Sequence, residues 1–506
     1  MLGVATSANP FSPHLQARQV RAMALSSKIK EEENLERAQV SVSKDVAATL
    51  VSKALTWASL NGLVIGDRSI EGSVNPGVGI VHAPVALLPS PFPEALFQQA
   101  LNLGSHFNTL VDRVSSDSDF LEQTLAKTRT ADPFTDKLLD IHSKIRAEGI
   151  VQNIHLGMHR SDYMRDMVTG KLLQVEINTI SSSFAGLGSL VSQLHRDVIK
   201  RVEHLDPGKV PENNAAVAFG DVLGLAWKEF GNTSAAVLVV VQPNERNMYD
   251  QFWLEKYLHE LHGANVIRRT LSELYSQAHL SSNGTLSVDG HPVAVIYYRS
   301  GYAPTDYPSE REWHARLLLE RSSAIKCPSI SYHLAGTKKV QQELAKPNVL
   351  ERFVQDKNAA EIIRECFAGL WGLDSEECHE IINKAIQQPE LFVLKPQREG
   401  GGNNIYGSAV KAKLEELLRD GGAGLSAYIL MQRIFPPTYT SYLLRGGEWS
   451  AEQAVSELGI FSAYLRNGER EITNKDCGYL LRTKASKVDE GGVATGFAVL
   501  DSVYLL

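Results

Sequence analysis

The chain of 506 residues lacks most of the marks that assign a chemistry quickly. It has no run of roughly 18 apolar residues, so no segment reads as a membrane span. It has 4 cysteines, Cys327, Cys366, Cys378 and Cys477, without a CxxC pair or a Cys/His cluster at zinc spacing, so they read as reduced thiols rather than a disulfide framework or metal knuckle. It has no basic excess: Lys+Arg 51 against Asp+Glu 58 gives a net charge of -7, which argues against a nucleic-acid surface. It has no Walker A loop, because Gly170-Lys171 and Gly208-Lys209 are followed by Leu and Val, and no GxGxxG, because Gly186-Leu187-Gly188 runs on into Ser-Leu-Val. The first 30 residues contain no Asp or Glu, and carry Arg18, Arg21, Lys28 and Lys30 among Ser and Ala until Glu31-Glu32-Glu33 ends the bias. That composition suits an organelle transit peptide or a disordered tail, and Met23 offers an internal start for a cytosolic form.

What is present is an ordinary globular composition, 43% apolar and 22% charged, with length for two or three domains. Residues 43–145 carry mostly helical periodicity, and no internal repeat is evident. Strand-like runs follow at 171–180 behind a Thr169-Gly170 turn, at 235–241, 293–299, 391–396, 427–434 and 459–466. Between the second and third of these, MYDQFWLEKYLHELHG reads as a helix closed by Gly263, which makes a separable α/β piece near 236–336. Helical stretches are expected around 345–369 and 376–387. The fold class is α/β or α+β.

Residues 391–407, LFVLKPQREGGGNNIYG, pose the sharpest question. Gly400, Gly401 and Gly402 strip the backbone of Cβ atoms, so its amides can approach an anion closely. Lys395 stands at the strand end as a point charge for phosphate, and Glu399 makes sense beside phosphates as a holder of Mg²⁺. A flexible hairpin with solvated charges is the plain alternative. In QVEINT, Glu176 and Asn178 at i and i+2 share one strand face, as a metal platform or merely a polar edge. Glu457 enters another strand, and Arg482 and Lys484, also i and i+2, precede a second glycine-bearing loop. Spread over some 300 residues of chain, these groups describe a composite site for a Mg-nucleotide held between two sheet layers under a lid.

The stretches HRSDYM (159–164), QVEINTISSSFAGLG (174–188), ERNMYDQ (245–251), YYRSGY (297–302), LAGTKKVQQELAKP (334–347), VLKPQREGGGNNIYG (393–407), SELGIF (456–461) and LLRTKASKVDEGGVATGF (480–497) resemble the eukaryotic glutathione synthetases, plant members above all. The resemblance runs from about residue 45 to the end. It implies an ATP-grasp fold with an inserted α/β substrate-binding domain and a Gly-rich lid, a homodimer, and ATP-dependent ligation of γ-glutamylcysteine to glycine through an acyl phosphate. It divides the chain into a tail or transit peptide (1–42), a helical region with the first part of the body (43–235), the substrate domain (236–336) and the ATP-grasp and lid domain (337–506). Separately, the transit-like first 30 residues give the expectation of a cytoplasmic or plastid location, and the charge balance and lack of a long apolar run that of no nucleic-acid partner and no membrane.

By position, the resemblance implies that Glu176, Asn178 and Glu399 hold Mg²⁺. Glu176, Lys338, Lys395, Glu399, Gly400, Gly401, Asn404, Tyr406, Met431, Gln432, Ile434, Glu457, Lys484 and Glu490 match the ATP site; Gln432 stands where animal members have Glu, and Glu490 replaces an Asp. Arg160, Ile180, Ser181, Ser183, Glu245, Asn247, Gln251, Arg299, Tyr302, Arg482, Val493 and Ala494 match the peptide contacts, and Arg482, Lys395 and Lys338 the catalytic groups. Ala494-Thr495 replaces the Ala-Ala of glutathione-forming members and is not the Leu-Pro of members that take β-alanine. Glycine is therefore the expected acceptor and serine a tolerated one. A catalytically silent homologue that binds nucleotide or thiol peptide is the alternative, as is a kinase-like phosphotransferase.

Overall fold

The computed structural model describes residues 42–506 except 68, 150, 151, 375–377, 400 and 490. The expected tail or transit peptide and two expected ATP contacts, Gly400 and Glu490, lie outside the described residues. Local signals set many element ends. Ser43 caps the helix Lys44–Asn61 by accepting from the Val46 amide, and Gly62 ends it at φ 71°, a conformation that favours glycine. Asp132, with Pro133 behind it, starts the helix Pro133–Glu148 in the same way.

Six strands position the site: β1 (Ile154–Arg165), β2 (Leu172–Asn178), β3 (Phe392–Pro396), β4 (Tyr428–Gln432), β5 (Glu448–Asn467) and β6 (Arg470–Ala485). β6, β5, β1 and β2 lie side by side in a seven-stranded sheet, antiparallel to one another. The second sheet has four strands, with β4 and β3 adjacent and antiparallel at its centre. The third is largely parallel: Ala236–Val241 is flanked by Val266–Thr270 and His291–Tyr298, and Ile325–Cys327 pairs beyond. Every residue of Ala236–Val241 is buried, which is why that run is unbroken Val and Leu rather than alternating.

The packing separates these sheets unequally. Strands of the parallel sheet contribute to two cores that both also contain residues of the seven-stranded sheet: Val237 and Val295 pack in one with Phe461 and Leu480, while Leu238 and Ile296 pack in the other with Leu458 and Leu481. The four-stranded sheet and the helices His379–Gln387 and Ser408–Arg419 instead have a core of their own, built on Phe392, Leu394, Leu430, Ile382, Leu414 and their neighbours. Among the described residues no helix is long and apolar enough to cross a membrane.

Two expected stretches differ. The helix placed at 345–369 is Lys357–Cys366, because Pro347 follows the end of the preceding helix and Asp356 caps a new one by accepting from the Asn358 and Ala359 amides. The strand expected at 459–466 is the middle of the 20-residue β5.

Candidate active site

Strand register collects the polar residues of the seven-stranded sheet on one face. Asp162 lies opposite Glu176 on one side and Gly459 on the other, Arg160 lies opposite Asn178, and Glu457 lies opposite Arg482, with Lys484 two residues on. Alternation then puts Arg160, Asp162, Glu176, Asn178, Glu457, Arg482 and Lys484 on the same side. The reverse face packs Tyr163, Ile177, Leu458, Ile460 and Leu481 into the core. In the facing sheet, Phe392, Leu394 and Leu430 point into its own core while Val393, Lys395 and Met431 turn outward. The two outward faces enclose a cavity of about 380 Å³.

Charge is paired across that cavity. Lys338, 4% exposed, donates to the Arg398 carbonyl at 2.7 Å and stands 3.1 Å from Glu399 Oε1 and 3.5 Å from Glu176 Oε2. Lys395 spans the sheets by donating to the Val175 carbonyl at 2.8 Å. Arg482 Nη2 reaches Glu457 Oε1 at 2.5 Å and Asp162 Oδ2 at 2.9 Å. Burial alone would raise the Glu176 carboxyl, but Lys338, Lys395, Arg482 and Arg160 outweigh it and hold it at about 2. Burial pushes Glu399 up, Glu176 adds to that, and Lys338 only partly offsets them. Burial likewise lowers Lys395. Glu176 is thus held as an anion, while Glu399 ionises against burial and its neighbour.

The donor set suits a hard divalent cation: two carboxylates and an amide that converge where added positive charge relieves the Glu176–Glu399 repulsion. Asn178 Nδ2 donates to the Arg160 carbonyl at 3.2 Å and to Asp162 Oδ2 at 3.0 Å, which fixes the amide and aims its oxygen away from them. The glycine loop fits phosphate cover, since Gly401 and Gly402 have φ of 72° and 75°, where a side chain is strained.

Of the residues singled out from sequence, the cavity wall includes Arg160, Glu176, Asn178, Ile180, Ser181, Ser183, Tyr302, Lys395, Glu399, Gly401, Asn404, Tyr406, Met431, Gln432, Ile434, Glu457, Arg482, Lys484, Val493 and Ala494. Lys338 acts from behind, through its two carboxylates. Glu245, Asn247, Gln251 and Arg299 are not on the wall. Arg299 donates to Ser183 Oγ at 2.5 Å, and Asn247 Nδ2 to Asp250 Oδ2 at 3.2 Å. Asp250 in turn accepts from the Phe184, Gly186 and Leu187 amides, so these residues brace the 181–187 turn from outside. That turn is strained, with Ser181 at φ 54° and Phe184 at φ 73°. Gln432 Oε1 accepts from the Gly369 amide at 3.1 Å, so its side chain is committed to the sheet edge.

Sequence reasoning missed Asp162, Met164, Val175, Arg433 and Asp489. Met164 and Val175 pack with Met431 and Ile434 in a small apolar cluster joining the two sheets. Arg433 pairs with Asp489 of the second glycine loop at 2.7 Å, and the Asp489 carbonyl also accepts from Lys484. For Asp162 a signal existed: it stands at i+2 from Arg160, on the same strand face.

The model of the family described as eukaryotic glutathione synthase, ATP binding domain, matches residues 44–505. A chloroplastic glutathione synthetase of Solanum lycopersicum is 55% identical over 470 residues, 91% of this chain and 86% of that one. The Arabidopsis thaliana chloroplastic glutathione synthetase is 54% identical over 461 residues (90% and 85%), and the Homo sapiens glutathione synthetase 45% over 432 residues (84% and 90%). Among solved structures, a glutathione synthetase-like effector of Globodera pallida, in its apo form, superposes with a TM-score of 0.73 at 25% identity, covering 92% of this chain and 98% of that one.

Proposed function

The chain belongs to the eukaryotic glutathione synthase family, has the ATP-grasp fold and is an ATP-dependent ligase of glutathione synthesis; we propose that the cavity between its two sheets joins γ-glutamylcysteine to glycine through an acyl phosphate. The observation that carries this reading is the convergence of Glu176, Glu399 and Arg482 from three separate stretches of chain onto one cavity, with Lys338 behind the two glutamates.

ATP enters with its base against Met431, Ile434, Met164 and Val175, and its phosphates run toward Lys338, Lys395 and the glycine loop, with Asn404, Tyr406, Gln432, Glu457 and Lys484 around it. Glu176, Asn178 and Glu399 would hold Mg²⁺, which supplies charge neutralisation and orientation for the phosphates. Arg160, Ser181, Ser183 and Tyr302 hold the dipeptide, because guanidinium groups match carboxylates in fork geometry. The cysteinyl carboxylate oxygen bonds to the γ-phosphorus, the bond to ADP breaks, and an acyl phosphate forms. Lys338 and Lys395 offset charge on the transferring group. The glycine amine then bonds to the acyl carbon, a proton leaves the amine, and phosphate departs. Arg482 stabilises the developing oxyanion. The loops carrying Gly401 and Gly491 exclude water that would hydrolyse the acyl phosphate.

Thr495 Oγ1 donates to the Gly492 carbonyl at 2.9 Å, so its hydroxyl is used within its own loop, which favours glycine over serine as acceptor. We assign residues 43–235 to the helical region and first part of the body, 236–336 to substrate binding, and 337–506 to nucleotide binding and the lid. A homodimer would cover Ile70, Val78 and Ile80, exposed around the two-stranded sheet of Val64–Gly66 and Ile80–His82. A plastid form fits the chloroplastic plant relatives and the acid-free first 30 residues.

The test is ADP release by the purified protein with Mg-ATP and γ-glutamylcysteine, offering glycine, serine and β-alanine in turn, with mass spectrometry of the products. Glutathione from glycine, lost in Glu399→Ala, is expected. No amide product with any acceptor, despite ATP binding, would overturn the reading.

A further inference from the structure

Asp162 is absent from the residues assigned above, yet it touches three that are. It is completely buried, with 0% exposure. Its carboxylate accepts from Arg160 Nε at 2.7 Å and Arg160 Nη2 at 2.9 Å, from Asn178 Nδ2 at 3.0 Å and from Arg482 Nη2 at 2.9 Å. One residue therefore bonds the peptide-binding arginine, the metal-facing amide and the catalytic arginine, which come from three different strands. A carboxylate so occupied is poorly placed to ligate a cation or move a proton, and bidentate pairing holds a guanidinium plane in one orientation.

The opposite strand is shaped around it. Gly459 faces Asp162 in register, and a Cβ there would stand 2.6 Å from Asp162 Oδ1 and 2.9 Å from Arg160 Cδ. No side chain fits at that separation without displacing the carboxylate. The glycine has an ordinary backbone conformation, so it is explained by space rather than by φ.

We propose that Asp162 is the positioning residue of the ligase site, which locks Arg160, Asn178 and Arg482 in one relative geometry, and that Gly459 is glycine to admit it. The arrangement links two tasks. Arg160 fixes where the dipeptide carboxylate lies, Arg482 fixes where the developing charge is met, and their shared anion sets the distance between them. Asn178 is turned by the same oxygen that Arg482 uses, so the metal ligand belongs to the same lock.

This proposal rests on the cavity being the ligase site. The test compares wild type, Asp162→Asn and Gly459→Ala in glutathione formation, with metal titration, displacement of a fluorescent ATP analogue, and thermal melting. Asp162→Asn keeps the volume and removes the charge; Gly459→Ala removes no charge and pushes the carboxylate. Both should lower kcat about 10²-fold, the cost of a misplacement near 1 Å. Both should also raise KM for γ-glutamylcysteine roughly tenfold, as expected for weakened charged hydrogen bonds. The Mg²⁺ concentration for half-maximal rate should rise, while affinity for the ATP analogue measured without metal stays as in wild type, because Asp162 bonds Arg160, Asn178 and Arg482 and none of the groups placed around the base and phosphates. A merely structural role would lower the melting midpoint and all affinities together. The proposal is overturned if Asp162→Asn or Gly459→Ala keeps wild-type kcat and KM, or if both lose the folded state, since Asp162 then holds the fold and not the site. An inactive wild-type protein would instead break the ligase reading.

Discussion

The two walls of the cavity are built on opposite principles. On the seven-stranded sheet the site groups bond to one another: Arg160, Asn178 and Arg482 to Asp162, and Arg482 again to Glu457. That sheet shares both of its large cores with the rest of the molecule. The facing wall stands on a sheet with its own small core and meets the first at the cavity through Lys395 to the Val175 carbonyl, Lys338 between Glu399 and Glu176, and the apolar cluster of Met431 and Ile434 with Met164 and Val175. Two loops cover the cavity, 399–407 from the facing sheet and 486–497 from the end of β6, and the Arg433–Asp489 pair joins the second to the facing sheet. The difference separates positioning from closure. Groups that aim at reacting atoms belong where they cannot shift, because small displacements cost rate. Groups that enclose phosphate belong on a unit that can shift, because nucleotide must enter and ADP must leave.

Variants on the fixed wall should have the largest effects. Arg482→Ala removes the cation proposed to meet the oxyanion and leaves Asp162 and Glu457 without it, so kcat should fall by at least about 10²-fold in an ADP-release assay. Glu399→Gln sits between the walls: the Mg²⁺ requirement should rise at least about tenfold, since losing even an outer partner of a metal has that cost, and the melting midpoint should not fall. On the facing wall, Gly402→Ala adds a Cβ at φ 75°, which costs about 1–2 kcal/mol. It should raise KM for ATP by about tenfold or less and leave KM for γ-glutamylcysteine unchanged. If Gly402→Ala hurt the dipeptide more than ATP, the division between the walls would be wrong.

The smallest effect concerns the back of the fixed wall. Asp501, 1% exposed, accepts from Ser90 and Thr483 side chains at 2.5 Å, and Thr483 lies between Arg482 and Lys484. Burial lifts its carboxyl from 3.8 to about 7. His195, whose Nδ1 is 3.9 Å from Asp501 Oδ1, is driven down by burial to about 4 and offers no compensating charge. Between about 4 and about 7 folded Asp501 holds a proton that the unfolded chain has released, which lowers stability as pH rises, while His195 works the other way between about 4 and 6.5, where only the unfolded chain holds its proton. Asp501→Asn should remove the first contribution and leave the second, so that stability gains more with rising pH than in wild type in urea titrations across the window, with activity at about pH 6 little changed.

How much of this was legible in the sequence follows the same division. The facing wall announced itself, because LFVLKP and AYILMQ alternate an apolar core face with a cavity face, and three glycines broke the pattern. Val-rich 236–241 was equally plain. β1 and β6 were not read as strands, since IHLGMHRSDYMR and REITNKDCGYLLRTKA carry too many polar residues for an ordinary buried strand. A few of those polar residues, Arg160, Asp162, Arg482 and Lys484, form the polar face at the cavity, and the pairing reaches far along the chain, Asp162 and Arg482 being separated by 320 positions. Glu176, Glu399 and Arg482 could be named one by one, but their convergence depended on register. Asp162 stayed hidden because its meaning lies wholly in those partners. Control through the cysteines had no support from spacing, and all four thiols are buried, with Cys327 and Cys477 pushed up to about 12 by desolvation.

Hydrogen–deuterium exchange with and without Mg²⁺ and a non-hydrolysable ATP analogue tests the asymmetry of the walls most directly. The account predicts that 154–165 and 172–178 are slow to exchange in both states, whereas 399–407 and 486–497 exchange quickly alone and gain protection with nucleotide. Protection gained chiefly at 154–165, with no change in the two glycine loops, would contradict it.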